Sequence, residues 1–271
     1  MPKVELRGVE LYYSLDGQGP ETIVVLNGIM MNTLSWNEFV PVFTAKGGHR
    51  FLRVDFRDQG FSSPYPQEYD LSIHVDDLKE LFDHLELQKV HLVGVSYGAM
   101  VALLFALKYP EYLATLILGN AVAQVTKFLQ AAADIWEYSA TTNSGELFFK
   151  LSMPFIYSDQ FYSQHWQWLK EREAMFNQIL TPEWFAALRR LCRSSYEFDV
   201  LDQIHSITTP TLLIAGTRDI ITPLEEMKKI QERIKGSRML IIEGAGHASF
   251  YEKMDEFAAA VLGFVALHQS S

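Results

Sequence analysis

The chain has 271 residues, 48% hydrophobic and 21% charged, the make-up of a globular protein that can build its core without metal or disulfide. Thirty-three acidic against 23 basic side chains leave a formal charge of −10, which repels a nucleic-acid backbone, and the densest basic stretch, Arg189–Arg193, is short and broken by apolar residues. The single cysteine, Cys192, excludes an internal disulfide framework. The first 20 residues carry Glu5, Arg7, Glu10 and Asp16 instead of an apolar leader, and runs such as Ala99–Leu107 and Phe257–Leu267 are too short to cross a bilayer. The expectation is a cytoplasmic protein without a membrane span.

Glu5–Leu15 alternates loosely and reads as hairpin material, closed by Asp16-Gly17-Gln18-Gly19-Pro20. Thr22–Leu26 is a continuous β-branched run, the pattern of a strand buried on both faces, and Phe51–Phe56 reads as another strand. Ser72–Leu85 has apolar residues at helical spacing, with Ser72 as the expected N-cap. Val90–Val95 is a strand, followed at once by an apolar helix Tyr97–Tyr109 that ends before Pro110. Ala114–Leu118 and Thr211–Ala215 are strands, Leu224–Ile234 a helix, Arg238–Glu243 a strand and Met254–His268 a helix. Repeated strand–helix–strand units demand parallel pairing with right-handed crossovers, so the expected fold is α/β, a mostly parallel sheet covered by helices on both faces.

Residues 121–200 break this alternation. They contain no clear buried strand, and they hold 16 of the 35 aromatic residues in under a third of the length. The reading is a core formed by 1–120 and 201–271, with 121–200 inserted as a helical cap over the C-terminal edge of the sheet, where open α/β sheets bind ligands.

Gly94-Val95-Ser96-Tyr97-Gly98 is a G-x-S-x-G pentapeptide, weak by itself but placed between a buried strand and an apolar helix, the context a nucleophile elbow requires. A serine hydroxyl needs a base, and a base needs an orienting carboxylate. Among eight histidines, His247 alone follows a late strand in a glycine loop, Gly244-Ala245-Gly246-His247. His74, His84 and His91 lie on a helix or strand near charged residues and read as surface groups, as does His49 in the polar turn Lys46-Gly47-Gly48-His49. Asp219 follows a strand in Gly216-Thr217-Arg218-Asp219 and is the expected carboxylate, with Asp199 and Asp202 as substitutes. An oxyanion requires two backbone donors. The amide of Tyr97 is one, and the amide of Ile29, in the loop Asn27-Gly28-Ile29-Met30-Met31, is the other, with Gly28 permitting close approach of the backbone.

With these residues in place, the sequence resembles the α/β-hydrolase superfamily in its esterase and lactonase branch with a helical cap. The resemblance covers nearly the whole chain and rests on LNGIMMNTLSW (26–36), DFRDQGFSS (55–63), GVSYGA (94–99), PTLLIAGTRDIITP (210–223) and GAGHASFYE (244–252). The order Ser96, Asp219, His247 is that superfamily's order. There are two departures. Asn27-Gly28 stands where His-Gly is usual, and Asp58 stands where the first glycine of D-x-R-G-x-G-x-S is usual, a position whose left-handed backbone Asp tolerates. The Asn-Gly loop is also similar to that of the hydroxyacyl transferases that make rhamnolipid and polyester precursors.

The expected function is a carboxylic ester hydrolase, cleaving an ester or lactone with an apolar acyl or aromatic part through an acyl-enzyme. Gly28, Met30, Met31, Trp36, Trp136 and Phe155 are expected to line the substrate pocket. Two alternatives stand beside it: acyl or hydroxyacyl transfer to an alcohol or thiol by the same three residues, and a non-catalytic small-molecule receptor on the same fold. No cofactor or metal is expected, because H-E-x-x-H, Cys/His clusters, G-x-G-x-x-G and the phosphate-loop motif are all missing. The expected partner is a small apolar ester or lactone; a homodimer is compatible with the sequence.

Overall fold

The computed structural model describes residues 3–45 and 48–269. Eight strands form one sheet in the order β1-β2-β4-β3-β5-β6-β7-β8. β1 (Lys3–Leu6) and β2 (Val9–Asp16) make the antiparallel hairpin at one edge, and β2 pairs antiparallel with β4 (Arg50–Val54). From there every pairing is parallel, through β3 (Thr22–Leu26), β5 (Val90–Val95), β6 (Leu113–Gly119), β7 (Thr211–Gly216) and β8 (Arg238–Ile242). This is the α/β fold expected from the alternation, with most element boundaries within two residues of the expected ones.

The central strands are apolar throughout because both of their faces are covered. Val24, Leu26, Leu92, Leu116, Leu118 and Leu213 point into a core shared with α2 (Ile73–His84), α3 (Tyr97–Lys108) and α9 (Leu224–Arg233). Ile23, Val25, Val93, Val95, Ile117, Leu212 and Ile214 point the other way, onto the short α1 (Val40–Phe43), α10 (Ser249–Glu252) and α11 (Met254–Ala266). The period of two along each strand thus divides one hydrophobic run between two cores.

Between β6 and β7 the chain is helical, in α4 (Lys127–Ala140), α5 (Gly145–Ile156), α6 (Asp159–Gln164), α7 (Trp166–Ile179) and α8 (Pro182–Ser194). Four of the five helices begin at a Ser or Thr whose hydroxyl accepts an amide of the first turn: Thr126 from Leu129, Ser144 from Leu147, Ser158 from Phe161 and Thr181 from Trp184. Such caps fix where each helix starts and contribute about 1 kcal/mol apiece. No helix among the described residues is long and apolar enough to cross a membrane.

The departure at Asp58 has a structural use. Its φ is +64°, the left-handed turn that a glycine would supply. Its carboxylate then receives Arg190 of α8 through two bonds of 2.9 and 2.6 Å, together with the Tyr69 hydroxyl at 3.0 Å. A bidentate ion pair therefore ties the helical segment to the loop after β4, and the basic stretch around Arg190 serves internal pairing, with Arg193 held by Glu137 and Glu68.

Three histidines depart from their expected places. His74 and His91 are fully buried, and His49 is buried as well. His74 Nε2 lies 2.9 Å from the Tyr97 hydroxyl, which lies 2.8 Å from the Ser194 hydroxyl, and His91 Nδ1 lies 3.0 Å from Thr115 Oγ1. Burial holds His74 neutral by pushing its pKa down to about 3, with Arg57 adding to the shift. The polarity of sequence neighbours misleads here because helix and strand turn those neighbours to other faces. Lys46 and Gly47 of the supposed surface turn lie outside the described residues.

Candidate active site

Parallel pairing sets the geometry of the site. The register aligns Leu26 with Gly94, Val95 with Gly119, and Gly216 with Ile242, so that the strands end together and the loops after β3, β5, β6, β7 and β8 meet at one edge. Ser96 occupies the turn from β5 into α3 with φ +52° and ψ −116°, a conformation rarely adopted by a residue with a side chain. The flanking glycines make that turn feasible. A Cβ on Gly94 would strike the carbonyl of Gly98, and one on Gly98 would strike the carbonyl of Leu26.

At this edge the three chain-distant residues meet. His247 Nε2 is 2.8 Å from Ser96 Oγ, and His247 Nδ1 is 2.9 Å from Asp219 Oδ2. Asp219 is almost fully buried and heavily solvated by protein donors. Its Oδ1 accepts the amides of Ile221 and Thr222, each at 2.9 Å, and its Oδ2 accepts Thr222 Oγ1 at 2.6 Å and Asn120 Nδ2 at 2.7 Å. Burial pushes this carboxyl upward, but the imidazole opposite and these hydrogen bonds outweigh it and hold the pKa below the ordinary carboxylate value. Asp199 and Asp202 sit elsewhere, Asp199 beside Gln124 and Asp202 on the surface.

The loop after β3 is held from behind. The side chain of Asn27 donates to the Val54 carbonyl at 2.9 Å and to Asp55 at 3.1 Å, and it accepts the Trp36 indole N–H at 2.9 Å. Gln59 donates to the carbonyl of Gly28 at 3.0 Å. The carbonyls of this loop are thereby turned inward. Among the described residues, the amides of Ile29 and Tyr97 have no acceptor elsewhere in the protein. Asp55, which accepts the amides of Thr33 and Phe61, is pushed up to about 6 by burial against the lowering effect of those bonds.

A cavity of about 160 Å³ opens onto Ser96 and His247. Gly28, Met30, Met31 and Trp136 line it as the sequence suggests, joined by Met153, Ile156, Phe176 and Phe250. Two expected wall residues are corrected. Trp36 is fully buried between Phe39 and Phe250, where its indole N–H satisfies Asn27. Phe155 packs against the larger hydrophobic core and does not line the cavity, where its neighbour Ile156 stands instead.

Asn120 and Arg172 were not among the expected site residues. Asn120 follows β6 with φ +50° and links Asp219 to the Ser249 hydroxyl, which donates to Asn120 Oδ1. Its sequence signal is its place directly after a strand, as with Ser96 and Asp219. Asn120→Ala is expected to lower kcat about tenfold with little change in KM, since it loosens the carboxylate that orients His247 without touching the cavity; steady-state kinetics on an activated ester checks this. Arg172 lies on one face of α7 with Trp168 and Phe176, each four residues away, a spacing visible in the sequence.

A family model described as alpha/beta hydrolase fold matches residues 21–254. The proline iminopeptidase of Lactobacillus helveticus is 27% identical over 98% of this chain and 97% of its own length. The serine hydrolase BPHL of Mus musculus is 25% identical over 97% of this chain and 85% of its own. Among solved structures, MGS-M2, an alpha/beta hydrolase enzyme from a deep-sea metagenome library of the Medee basin, superposes with a TM-score of 0.94 at 36% identity, covering 100% of this chain and 98% of that one.

Proposed function

The chain belongs to the alpha/beta hydrolase family, and from that premise we propose that it is a serine hydrolase cleaving a carboxylic ester or lactone with a small acyl part. The observation that carries the reading is the unbroken run of hydrogen bonds from Ser96 through His247 to Asp219, beside two uncommitted amides. In this reading Ser96 Oγ attacks the ester carbonyl while His247 Nε2 takes its proton. The amides of Ile29 and Tyr97, the latter at the N-terminus of α3, hold the oxyanion. His247 returns the proton to the departing alcohol, and Asp219 keeps the imidazole in the right tautomer and balances its charge. Water then repeats the sequence on the acyl-enzyme. Residues 121–200 act as the cap that supplies the apolar wall.

The cavity favours an ester over the substrate of the iminopeptidase relative. An imino group is positively charged at neutral pH, and among the described residues no Asp or Glu lines the cavity to receive it. The volume, below the roughly 300–1,000 Å³ of common ligand pockets, sets the acyl size. Among p-nitrophenyl esters, kcat/KM is expected to be highest for acetate to butyrate and to fall at least tenfold by octanoate. Labelling of the wild-type protein by a fluorophosphonate, absent in Ser96→Ala, tests the covalent step. Failure to label, with no ester or lactone hydrolysed, would remove the hydrolase reading.

A further inference from the structure

The cavity contains a charged group that ester cleavage itself does not use. Arg172 lies in the middle of α7 and lines the wall beside Tyr157, Phe176 and Tyr251. Its guanidinium lies over the indole of Trp168, with Cζ 4.5 Å from the ring centroid. Its neighbours in sequence are engaged elsewhere: Glu171 accepts from Gln167 at 3.1 Å, and Glu173 is held by Lys170 at 2.8 Å and Lys150 at 3.4 Å. Among the described residues no carboxylate pairs with Arg172 and none lines the cavity. Arg53, Arg57, Arg190, Arg193 and Arg218 each meet an Asp or Glu. An acid for Arg172 would have been easy to find in a chain of charge −10. A half-buried guanidinium on an aromatic wall has lost part of its hydration, and an anion from outside is what restores the balance.

A second donor stands at the same wall. The Tyr157 hydroxyl has no hydrogen-bond partner among the described residues. Burial pushes this phenol upward, more than nearby Arg172 draws it back, so at neutral pH it is an O–H able to donate.

We infer that Arg172 determines specificity: the site takes an ester or lactone that carries a second, non-reacting carboxylate, gripped by the guanidinium fork and the Tyr157 hydroxyl while the scissile carbonyl lies at Ser96. The fork matches a carboxylate in bidentate fashion. A phosphate dianion would call for more cationic donors than one arginine. The inference rests on the hydrolase reading above and narrows its substrate class.

Two matched pairs of esters test it. In one the acyl part carries the charge, 4-nitrophenyl hydrogen glutarate against 4-nitrophenyl pentanoate; in the other the alcohol part does, the butyryl ester of glycolate against ethyl butyrate. For at least one pair, the wild-type kcat/KM is expected to favour the anion by tenfold or more. In Arg172→Gln that ratio is expected to fall at least tenfold, chiefly through KM, while Arg172→Lys keeps part of it. The ratio within each variant cancels any loss of folded enzyme. A ratio the same in wild type and Arg172→Gln for both pairs overturns the inference. If no ester at all is turned over, the hydrolase reading fails on its own account, and binding decides for Arg172. Monomethyl glutarate titrated calorimetrically into Ser96→Ala is then expected to bind at least tenfold tighter than into Ser96→Ala/Arg172→Gln, and equal affinity overturns the inference.

Discussion

Ser96→Ala is expected to lower kcat on p-nitrophenyl butyrate by about 10⁵–10⁶-fold while leaving the fold and thermal midpoint essentially intact. The substitution deletes one oxygen from a residue whose backbone is set by the β5–α3 turn and whose side chain touches His247 alone within the triad. Cys192 does not replace that oxygen: it is buried in the core, and burial pushes its thiol far above the range where it ionises. The partner experiment is Asp219→Asn. An amide there donates where His247 Nδ1 must donate, fixes the wrong tautomer and is expected to cost about 10⁴-fold in kcat. The same variant carries a stability signature. The folded pKa of Asp219 is depressed, so this carboxylate contributes stability above the ordinary carboxylate range and loses it as pH falls through the folded value. Asp219→Asn is therefore expected to lose less stability than wild type on acidification, measured by denaturant midpoints at neutral and acid pH. Ester cleavage by Ser96→Ala at the wild-type rate would sink the proposed nucleophile.

What the sequence reveals about this site follows strand ends. Ser96 and Asp219 follow apolar runs that form buried parallel strands, the loop of His247 follows the edge strand β8, and parallel strands in such a sheet end at a common edge. Their meeting was therefore legible before any coordinates. Trp36 and Phe155 show where this logic stops. Both are large aromatics near the loop or in the helical segment, but which face of a turn points at a cavity depends on tertiary neighbours: Asn27 for Trp36, the larger hydrophobic core for Phe155. The Asp58–Arg190 pair spans 132 residues, and Asn120 reaches Asp219 across 99; no local pattern encodes such contacts. The aromatic wealth of 121–200 was legible as a helical wall. The arginine within that wall was not, because in Lys170-Glu171-Arg172-Glu173 it looks like one member of a solvated charge run until the structure sends its neighbours elsewhere.

The motif around residues 55–63 owes more to the scaffold than to the chemistry, and the largest stability effect is expected there. Asp77→Ala is expected to destabilise the protein by about 3–5 kcal/mol, lowering the thermal midpoint by roughly 10 °C. Arg57 is only 1% exposed, and its guanidinium is paired with Asp77 through Nε and, at 2.7 Å, through Nη2, while its Cζ lies 4.7 Å from the Tyr65 ring centroid. Burial disfavours the charge on Arg57, but the carboxylate opposite outweighs it and keeps the guanidinium protonated. With Asp77 gone, a full charge remains in a dry interior, answered by the Arg7 carbonyl at 3.2 Å and the Tyr65 ring. The cost thus comes from the stranded cation more than from the lost attraction, and this distinguishes the effect from simple loss of packing. Replacing both partners at once, as Arg57→Met/Asp77→Leu, removes the stranded charge and is expected to recover most of the loss in urea-unfolding midpoints. A double variant no more stable than Asp77→Ala would show that the pair's hydrogen bonds, not the unpaired charge, hold the loop after β4 against α2. That loop carries Gln59 and Asp58, one bracing the Gly28 carbonyl and the other Arg190 of α8, so the single variant is also expected to raise KM as the loop after β3 and the helical segment lose their common support.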